Sequence, residues 1–169
     1  SISCGGITAL SDRFEKKQDA ENILNVLKEQ KTAQVTKIDP ADKQEKAPQL
    51  YSLTALQRDA NRFLGFTAQQ TLDYTQSLYE KKLVTYPRTD ARVLSTAVAK
   101  EIGRNISGLK NFQPVAEFAQ GAMESGTYKG IAKTKYVNDK QITDHYAIIP
   151  TGQGFGALRS LAPTALKVY

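Results

Sequence analysis

The feature that most constrains the fold is a pair of consecutive amphipathic helices with boundary residues at both ends. Ser52 is a suitable N-cap for a helix over residues 53–64, and Gly65 suits the position that ends it. The next helix, which extends to about Glu80, begins at a Thr-x-x-Gln capping box at residue 67. Apolar residues recur along both segments at helical spacing. The pair therefore predicts a helical unit in this part of the chain.

The remaining periodicity predicts a mainly α protein with a small β part, an α+β fold. We expect a short strand at residues 32–38, where β-branched residues cluster, the end of a strand or a loop within residues 1–14, and at most a brief strand at residues 83–85. A charged, turn-like segment that ends at Pro48 divides the chain into domains over residues 1–47 and 48–169. Further helices are predicted at about residues 17–30, at 97–106 with Gly108 in the stop signal, at 114–120 and from Pro163 onward, with a loop over residues 121–130.

Positive charge is concentrated in the second part of the chain. Residues 1–48 carry 8 Lys or Arg and 8 Asp or Glu, whereas residues 49–169 carry 15 and 9, so the whole net charge of +6 lies there. A basic surface attracts polyanions, and nucleic acid is a common partner of this kind. A solvated basic surface without a partner fits the charge equally well, so charge alone leaves both interpretations open.

The composition excludes several classes of site. Cys4 is the single cysteine and His145 the single histidine, so neither an internal disulfide nor a Cys/His zinc site can form. No apolar run approaches the roughly 18 residues that a membrane span needs, and the first ten residues lack the pattern of a signal peptide. We therefore expect a cytoplasmic protein that does not bind membranes.

A tyrosine and an arginine flank Pro87 directly behind the second predicted helix. Proline disfavours the α region for the residue before it, so Tyr86 is expected to be extended. In an extended chain residues i and i+2 point to the same side, which brings the phenol of Tyr86 beside the guanidinium of Arg88. A guanidinium stabilises phosphate charge and a phenol can form a phosphate ester. The pair predicts phosphate chemistry, although a Tyr-Pro turn beside surface arginines is the simpler alternative.

A second candidate is His145, which follows Asp144 and precedes the apolar run Ala147–Ile149. That run would anchor the histidine in the fold. A protonated imidazole can contact a phosphate and a neutral one can transfer a proton. A packed or surface histidine without a chemical role remains the alternative.

Together these segments resemble conserved blocks of the type IA DNA topoisomerases. Residues 83–92, LVTYPRTDAR, resemble the active-site tyrosine motif, in the Tyr-Pro-Arg-Thr-Asp form of topoisomerase III. Residues 48–57 and 66–80 resemble the helices that lead into that motif. Residues 144–151, DHYAIIPT, resemble the downstream His-x-Ala-Ile-x-Pro-Thr segment. The specific similarity covers about residues 48–95 and 141–152.

The resemblance implies roles for individual residues. Tyr86 would be the nucleophile that breaks one DNA strand and keeps its 5′ phosphate, and Arg88 would position the scissile phosphate. His145 would contact a phosphate near the active site. Tyr146 stands where the family often has His or Glu, so a second ligand-like role there is not expected.

Single-stranded DNA is the expected partner, held by a basic groove. Lys82, Arg58 and Arg92 are candidate contacts to the DNA backbone, with ordinary helix-surface charge as the alternative for each. Two tyrosines on the second helix, Tyr74 and Tyr79, are expected to belong to the core.

The resemblance also implies a ring-shaped protein of which this chain is a fragment. Residues 1–47 would be part of the β-rich arch domain, and residues 48–169 most of the helical tyrosine domain, truncated at its C-terminal end. The family's acidic Toprim domain, which binds magnesium, has no counterpart here because the chain has no Asp-x-Asp pair. We expect no cofactor in the fragment, magnesium in the intact enzyme, and no cleavage or religation by the fragment alone. The other domains of the same chain are therefore expected partners.

Rival classes are distinguished by simple sequence features. A tyrosine recombinase needs a His-x-x-Arg box, and Ile148 stands at the arginine position after His145. A rolling-circle relaxase needs paired metal-binding histidines, and the chain has one histidine. A helical DNA-binding module without covalent chemistry remains as the non-enzymatic alternative.

Overall fold

In a computed structural model the chain forms two compact units, residues 1–45 and 46–169. The structure describes residues 1–4, 6–30, 32, 34–42 and 44–169. Most of the described secondary structure is helical, and the strands are short. The predicted fold class, mainly α with a small β part, is confirmed.

The first unit contains a small antiparallel hairpin followed by one helix. Strand β1 (Ile2–Cys4) pairs with β2 (Ile7–Ala9), and helix α1 spans Lys17–Glu29. The helix agrees with the sequence prediction. The strand predicted at Thr32–Ile38 is wrong for its described residues, which adopt no strand, and Ala33 lies outside the described residues.

The second unit is built mainly from helices. Its α-helices are α2 (Leu53–Leu64), α3 (Ala68–Glu80), α4 (Thr96–Leu109), α5 (Ala116–Ser125) and α6 (Pro163–Val168). Short 3₁₀ helices lie at Gln113–Val115, Thr127–Lys133, Asp139–Gln141 and Phe155–Ser160.

The boundaries of α2 and α3 follow from their capping residues. The Ser52 hydroxyl accepts a hydrogen bond from the Ala55 N–H, and Gly65 ends α2 in the left-handed conformation with φ of 71°. At the start of α3 the Thr67 hydroxyl accepts from the Gln70 N–H, and the Gln70 side chain accepts from the Thr67 N–H. Both predicted helix starts are therefore confirmed.

Two expectations for the later part of the chain are wrong. Helix α4 continues through Gly108, where a helix stop was predicted, and ends at Leu109. A Cβ atom at Gly108 would lie 2.0 Å from the Gly152 carbonyl oxygen, so this glycine allows two backbone segments to meet. The loop predicted at residues 121–130 is instead the second half of α5 and a 3₁₀ helix.

The apolar run after His145 links the two core clusters of this unit. Ile148 packs in one cluster with Leu78 and Leu83, whereas Ile149 packs in the other with Leu94. Ala147 is fully buried. The run therefore fixes the backbone that directly follows His145.

Candidate active site

The candidate site begins where α3 ends. The Leu83 N–H donates to the Leu78 carbonyl and the Lys82 N–H donates to the Tyr79 carbonyl, which is the Schellman arrangement. Lys82 has φ of 61° and is the one non-glycine residue with positive φ among those that the structure describes. Such a conformation costs a non-glycine residue roughly 1–2 kcal/mol. The chain then turns sharply toward the candidate tyrosine.

Hydrogen bonds attach the start of the tyrosine segment to the strand-like run after His145. Val84 forms an isolated antiparallel bridge with Pro150, and the Thr85 N–H donates to the Ile149 carbonyl at 3.0 Å. The buried Thr85 hydroxyl donates to the Ala147 carbonyl and accepts from the Ile149 N–H, each at 2.9 Å. These contacts fix the backbone immediately before Tyr86.

The segment after the tyrosine is held by Thr89. Its hydroxyl donates to the His145 carbonyl at 2.8 Å and accepts from the Ala91 N–H at 3.1 Å. The Thr89 carbonyl accepts from the Leu53 N–H at the start of α2. Because Pro87 is also fully buried, the loop is anchored on both sides of the exposed Arg88.

Tyr86 is half-buried and its ring packs against two other rings. Its ring centroid is 4.2 Å from that of His145, with planes tilted by 39°, and 5.4 Å from that of Tyr79 in an edge-on arrangement. Tyr79, expected in the core, is 38% exposed. The expectation of a core residue is therefore wrong for Tyr79. Tyr74 is half-buried against Phe66.

An open pocket of about 350 Å³ lies against Tyr86. It is lined by Tyr79, Lys82, Val84, Thr85, Tyr86, His145, Tyr146 and Thr151. All of these residues lie within the fully described range 46–169. Lys82 is the only Lys or Arg among them, and none is Asp or Glu. The pocket is therefore a place where a phosphate group can meet a phenol, an imidazole and an ammonium group.

Arg88 lies beside the same helix that carries Tyr79. Its Nη1 donates to the Oε1 atom of Gln76 at 2.8 Å, and the Gln76 amide nitrogen donates to Glu80 at 3.0 Å. Gln76 and Tyr79 are about one turn apart on α3. The side chains of Arg88 and Tyr86 thus both contact α3, and the guanidinium stays exposed.

The structure places the two remaining candidates, Arg58 and Arg92, around Tyr51, and neither of them lines the pocket. The Arg92 Nε donates to the Leu50 carbonyl at 3.0 Å, and Arg58 lies 3.4 Å from the Asp59 carboxylate. The Tyr51 hydroxyl donates to Asp59. Burial, that hydrogen bond and the Asp59 charge raise the pKa of Tyr51, and the two arginines partly oppose the shift.

Neither a metal cluster nor a membrane helix is found in the described part of the chain. No three His, Cys, Asp or Glu residues there group in a way that could hold a metal ion. None of the helices described combines the length and the hydropathy needed to cross a bilayer.

The family assignment comes from sequence comparison. A sequence model of the family described as DNA topoisomerase matches residues 6–169. The chain belongs to the DNA topoisomerase family. The match includes both the Tyr86 segment and the His145 segment, which the structure pairs through backbone hydrogen bonds.

Curated relatives within this topoisomerase family carry the name DNA topoisomerase 3. The chain is 41% identical to the Bacillus subtilis (strain 168) protein over 142 residues, which is 82% of this chain and 19% of that protein. It is 39% identical to the Bacillus licheniformis protein over 140 residues, with the same coverage. It is 35% identical to a Bacillus cereus protein over 163 residues, 94% of this chain and 21% of that one. The resemblance to topoisomerase III is confirmed, and the chain spans about a fifth of the length of these relatives.

Sequence reasoning missed several residues that shape the candidate site. Thr85 and Thr89 fix the loop through buried hydroxyls, and Gln76 holds the guanidinium of Arg88. Thr85 and Thr89 stand close to Tyr86 in the sequence, which marks them as candidates. No sequence pattern near them identifies their hydrogen-bond partners at residues 145 and 147. Gln76 occupies an ordinary helix position, so the sequence offers no feature that distinguishes it.

Proposed function

We propose that this chain carries the strand-cleaving tyrosine of a type IA DNA topoisomerase. The observation that supports this most directly is the placement of Tyr86, half-buried beside His145 at the wall of an open pocket. Membership of the DNA topoisomerase family and relatives named DNA topoisomerase 3 support it independently.

In the proposed reaction Tyr86 attacks a phosphodiester in a single DNA strand. The new bond joins the Tyr86 Oη to phosphorus, and the bond between phosphorus and the 3′ oxygen breaks. The phenol loses its proton and the 3′ oxygen gains one. The phosphotyrosine retains the energy of the ester, so the free 3′ hydroxyl can reverse the reaction without ATP after another strand has passed. Relaxation of negative supercoils and decatenation are the proposed outcomes.

Arg88 and His145 are proposed to act on the phosphate that is attacked. Negative charge develops on the phosphate oxygens during phosphoryl transfer, and a guanidinium fixed beside them lowers the barrier. The hydrogen bond from Arg88 to Gln76 uses one Nη1 proton and leaves other donors for a phosphate. His145 is exposed and its ring lies against that of Tyr86, so it can donate to the same group.

Lys82, Arg58 and Arg92 remain the proposed contacts to the flanking DNA backbone. Arg58 is exposed, so it is available to a strand that runs across α2. Arg92 is half-buried and already donates its Nε to Leu50, so its contribution is expected to be smaller.

No step of this proposal uses a metal bound by these residues. Magnesium and the acid that protonates the 3′ oxygen are proposed to come from other domains of a longer enzyme. We therefore expect the 169-residue chain alone to leave supercoiled plasmid unrelaxed when magnesium is added. Relaxation by the pure chain would contradict this part of the proposal.

The central test replaces the matching segment of Bacillus subtilis DNA topoisomerase 3 with this chain. The chimera is incubated with labelled single-stranded DNA and magnesium, and covalent protein–DNA adducts are trapped with detergent. Tyr86→Phe should abolish the adduct and leave DNA binding intact, because only the nucleophilic oxygen is removed.

The matched control is Tyr74→Phe, which removes a hydroxyl from a tyrosine whose ring packs on Phe66. It should retain the adduct. An adduct that persists in Tyr86→Phe would refute the assigned nucleophile. DNA binding without any adduct in the unsubstituted chimera would favour the helical DNA-binding module instead.

A further inference from the structure

Lys82 occupies a backbone position that glycine fits with less strain. It is the left-handed residue of the Schellman arrangement at the end of α3, where glycine is usual. Its neighbours hold it there: the hydroxyl of Thr151 donates to the Lys82 carbonyl, and the Thr151 N–H donates to the Leu83 carbonyl. Leu83, the next residue, is fully buried. The surrounding structure therefore enforces a conformation that a lysine disfavours.

The same backbone conformation places Lys82 at the pocket beside Tyr86. Lys82 is exposed and is the only Lys or Arg among the pocket-lining residues, all of which are described. Lys81 lies before the left-handed position, is half-buried and does not line the pocket. Its Nζ donates to the Ser160 hydroxyl at 3.1 Å. Two adjacent lysines thus have different surroundings.

We infer that Lys82 is kept at this strained position because its ammonium group binds a phosphate of the DNA strand in the Tyr86 pocket. The inference rests on the proposed function. It says that the strained backbone of Lys82 lowers the stability of the fold and that binding of a DNA phosphate offsets this loss. A point charge on a flexible stem suits a phosphate that must enter and leave the pocket. Lys82 is therefore a binding residue for the strand that Tyr86 attacks.

The test measures stability and DNA binding of the whole 169-residue chain. The variants are Lys82→Gly, Lys82→Gln and, as the matched control, Lys81→Gln. Thermal unfolding gives the melting temperature, and titration of a labelled oligothymidylate at several salt concentrations gives the affinity and its salt dependence.

Lys82→Gly should raise the melting temperature by a few degrees, because glycine adopts positive φ without steric cost. Both Lys82 variants should bind the oligonucleotide several-fold more weakly. The slope of log K against log salt should fall by about 0.7, the value for one phosphate contact on a single strand. Lys81→Gln should change the slope by less than half as much.

Three results would overturn the inference. The first is an unchanged affinity and slope in the Lys82 variants, and the second is an equal effect of Lys81→Gln. The third is a melting temperature of Lys82→Gly that is unchanged or lower, which would show that the lysine is not strained. The Tyr86→Phe adduct test is independent of these measurements. Loss of the adduct would support Tyr86 as the nucleophile whether or not Lys82 binds DNA.

Discussion

The imidazole ring of His145 lies 4.2 Å, centroid to centroid, from the phenol ring of Tyr86. The backbone brings them together, because the Thr89 hydroxyl donates to the His145 carbonyl and the Thr85 hydroxyl donates to the Ala147 carbonyl. The two segments that resemble topoisomerase motifs are therefore neighbours in space, and the chemistry proposed for each can act on one phosphate.

Replacing His145 by phenylalanine should separate its packing from its polar role. His145→Phe keeps a ring beside Tyr86 but cannot donate to a phosphate. Loss of a charge-assisted hydrogen bond of about 1.5–3 kcal/mol predicts a decrease in adduct formation by the chimera of roughly 10- to 100-fold. Asp144→Asn, which changes the adjacent exposed charge, should have a smaller effect. Equal rates for His145→Phe and the unsubstituted chimera would contradict the assigned role.

Gln76 should matter for cleavage through Arg88. Gln76→Ala removes the acceptor that holds the guanidinium, so the rate of adduct formation should fall by about tenfold while DNA affinity changes little. Single-turnover cleavage at saturating DNA measures the rate of adduct formation, and titration with labelled DNA measures the affinity. Gln69→Ala is the control, since Gln69 also bonds a carboxylate one turn along α3. The same decrease in the rate of adduct formation in both variants would mean that the substitutions act by destabilising α3 and not through Arg88.

Thr85→Val should destabilise the second unit. The hydroxyl bonds two buried backbone groups, and valine of similar shape leaves both without that partner. The expected loss in the free energy of unfolding is about 1–3 kcal/mol, measured by urea denaturation. Thr54→Val makes the same change at an exposed position of α2 and should alter stability by less than about 0.5 kcal/mol. Similar losses for the two variants would argue against the structural role of Thr85.

Two helical glycines should respond oppositely to alanine. Gly108→Ala places a Cβ 2.0 Å from the Gly152 carbonyl oxygen, which should cost about 1–3 kcal/mol through overpacking. A Cβ at Gly121 in α5 has no atom within 4 Å, so Gly121→Ala should stabilise by up to about 1 kcal/mol. Thermal unfolding of both variants measures the difference. A stable Gly108→Ala variant would mean that α4 and Gly152 do not approach this closely.

Asp139 should contribute stability that depends on pH. Hydrogen bonds from the Thr96 hydroxyl and then from the Thr96 N–H lower the pKa of its carboxyl group below the ordinary 3.8. A carboxyl whose pKa is lowered by folding stabilises the fold above its unfolded pKa, and the stability is lost as the pH falls through the folded pKa. The melting temperature of Asp139→Asn should therefore lie below that of the unsubstituted chain at pH 7, and the gap should narrow below about pH 4. A gap that stays constant with pH would contradict this linkage.

The sequence predicted those elements whose boundaries are set locally. Ser52, Gly65 and the Thr67 capping box each act on backbone groups within a few residues, so α2 and α3 were predicted with their observed ends. The pairing of Thr85 with Ile149 was not predicted, because no local pattern indicates which distant carbonyl a buried threonine bonds.

The wrong prediction at the end of α4 has the same cause. A glycine near the end of a helical pattern predicts a stop, but the lack of a side chain at Gly108 serves the contact with Gly152, more than 40 residues later in the chain. The β-branched residues after α1 favour a strand, and the described ones adopt none. For the site, Pro87 predicts that Tyr86 and Arg88 lie side by side, and this stays a prediction. Their shared contact with α3 required the tertiary structure.

The hydrogen bonds that hold the tyrosine loop join residues 56, 62 and 64 positions apart. Closing so long a stretch of chain carries an entropic cost that only the finished core can repay, so these bonds should form late in folding. A short peptide that spans the loop would contain Tyr86 and Arg88 but would lack the distant hydrogen-bond partners that hold them in this arrangement. The geometry of the candidate site is thus a property of the folded unit as a whole, and partial unfolding should separate Tyr86 from His145 before it exposes much of the core.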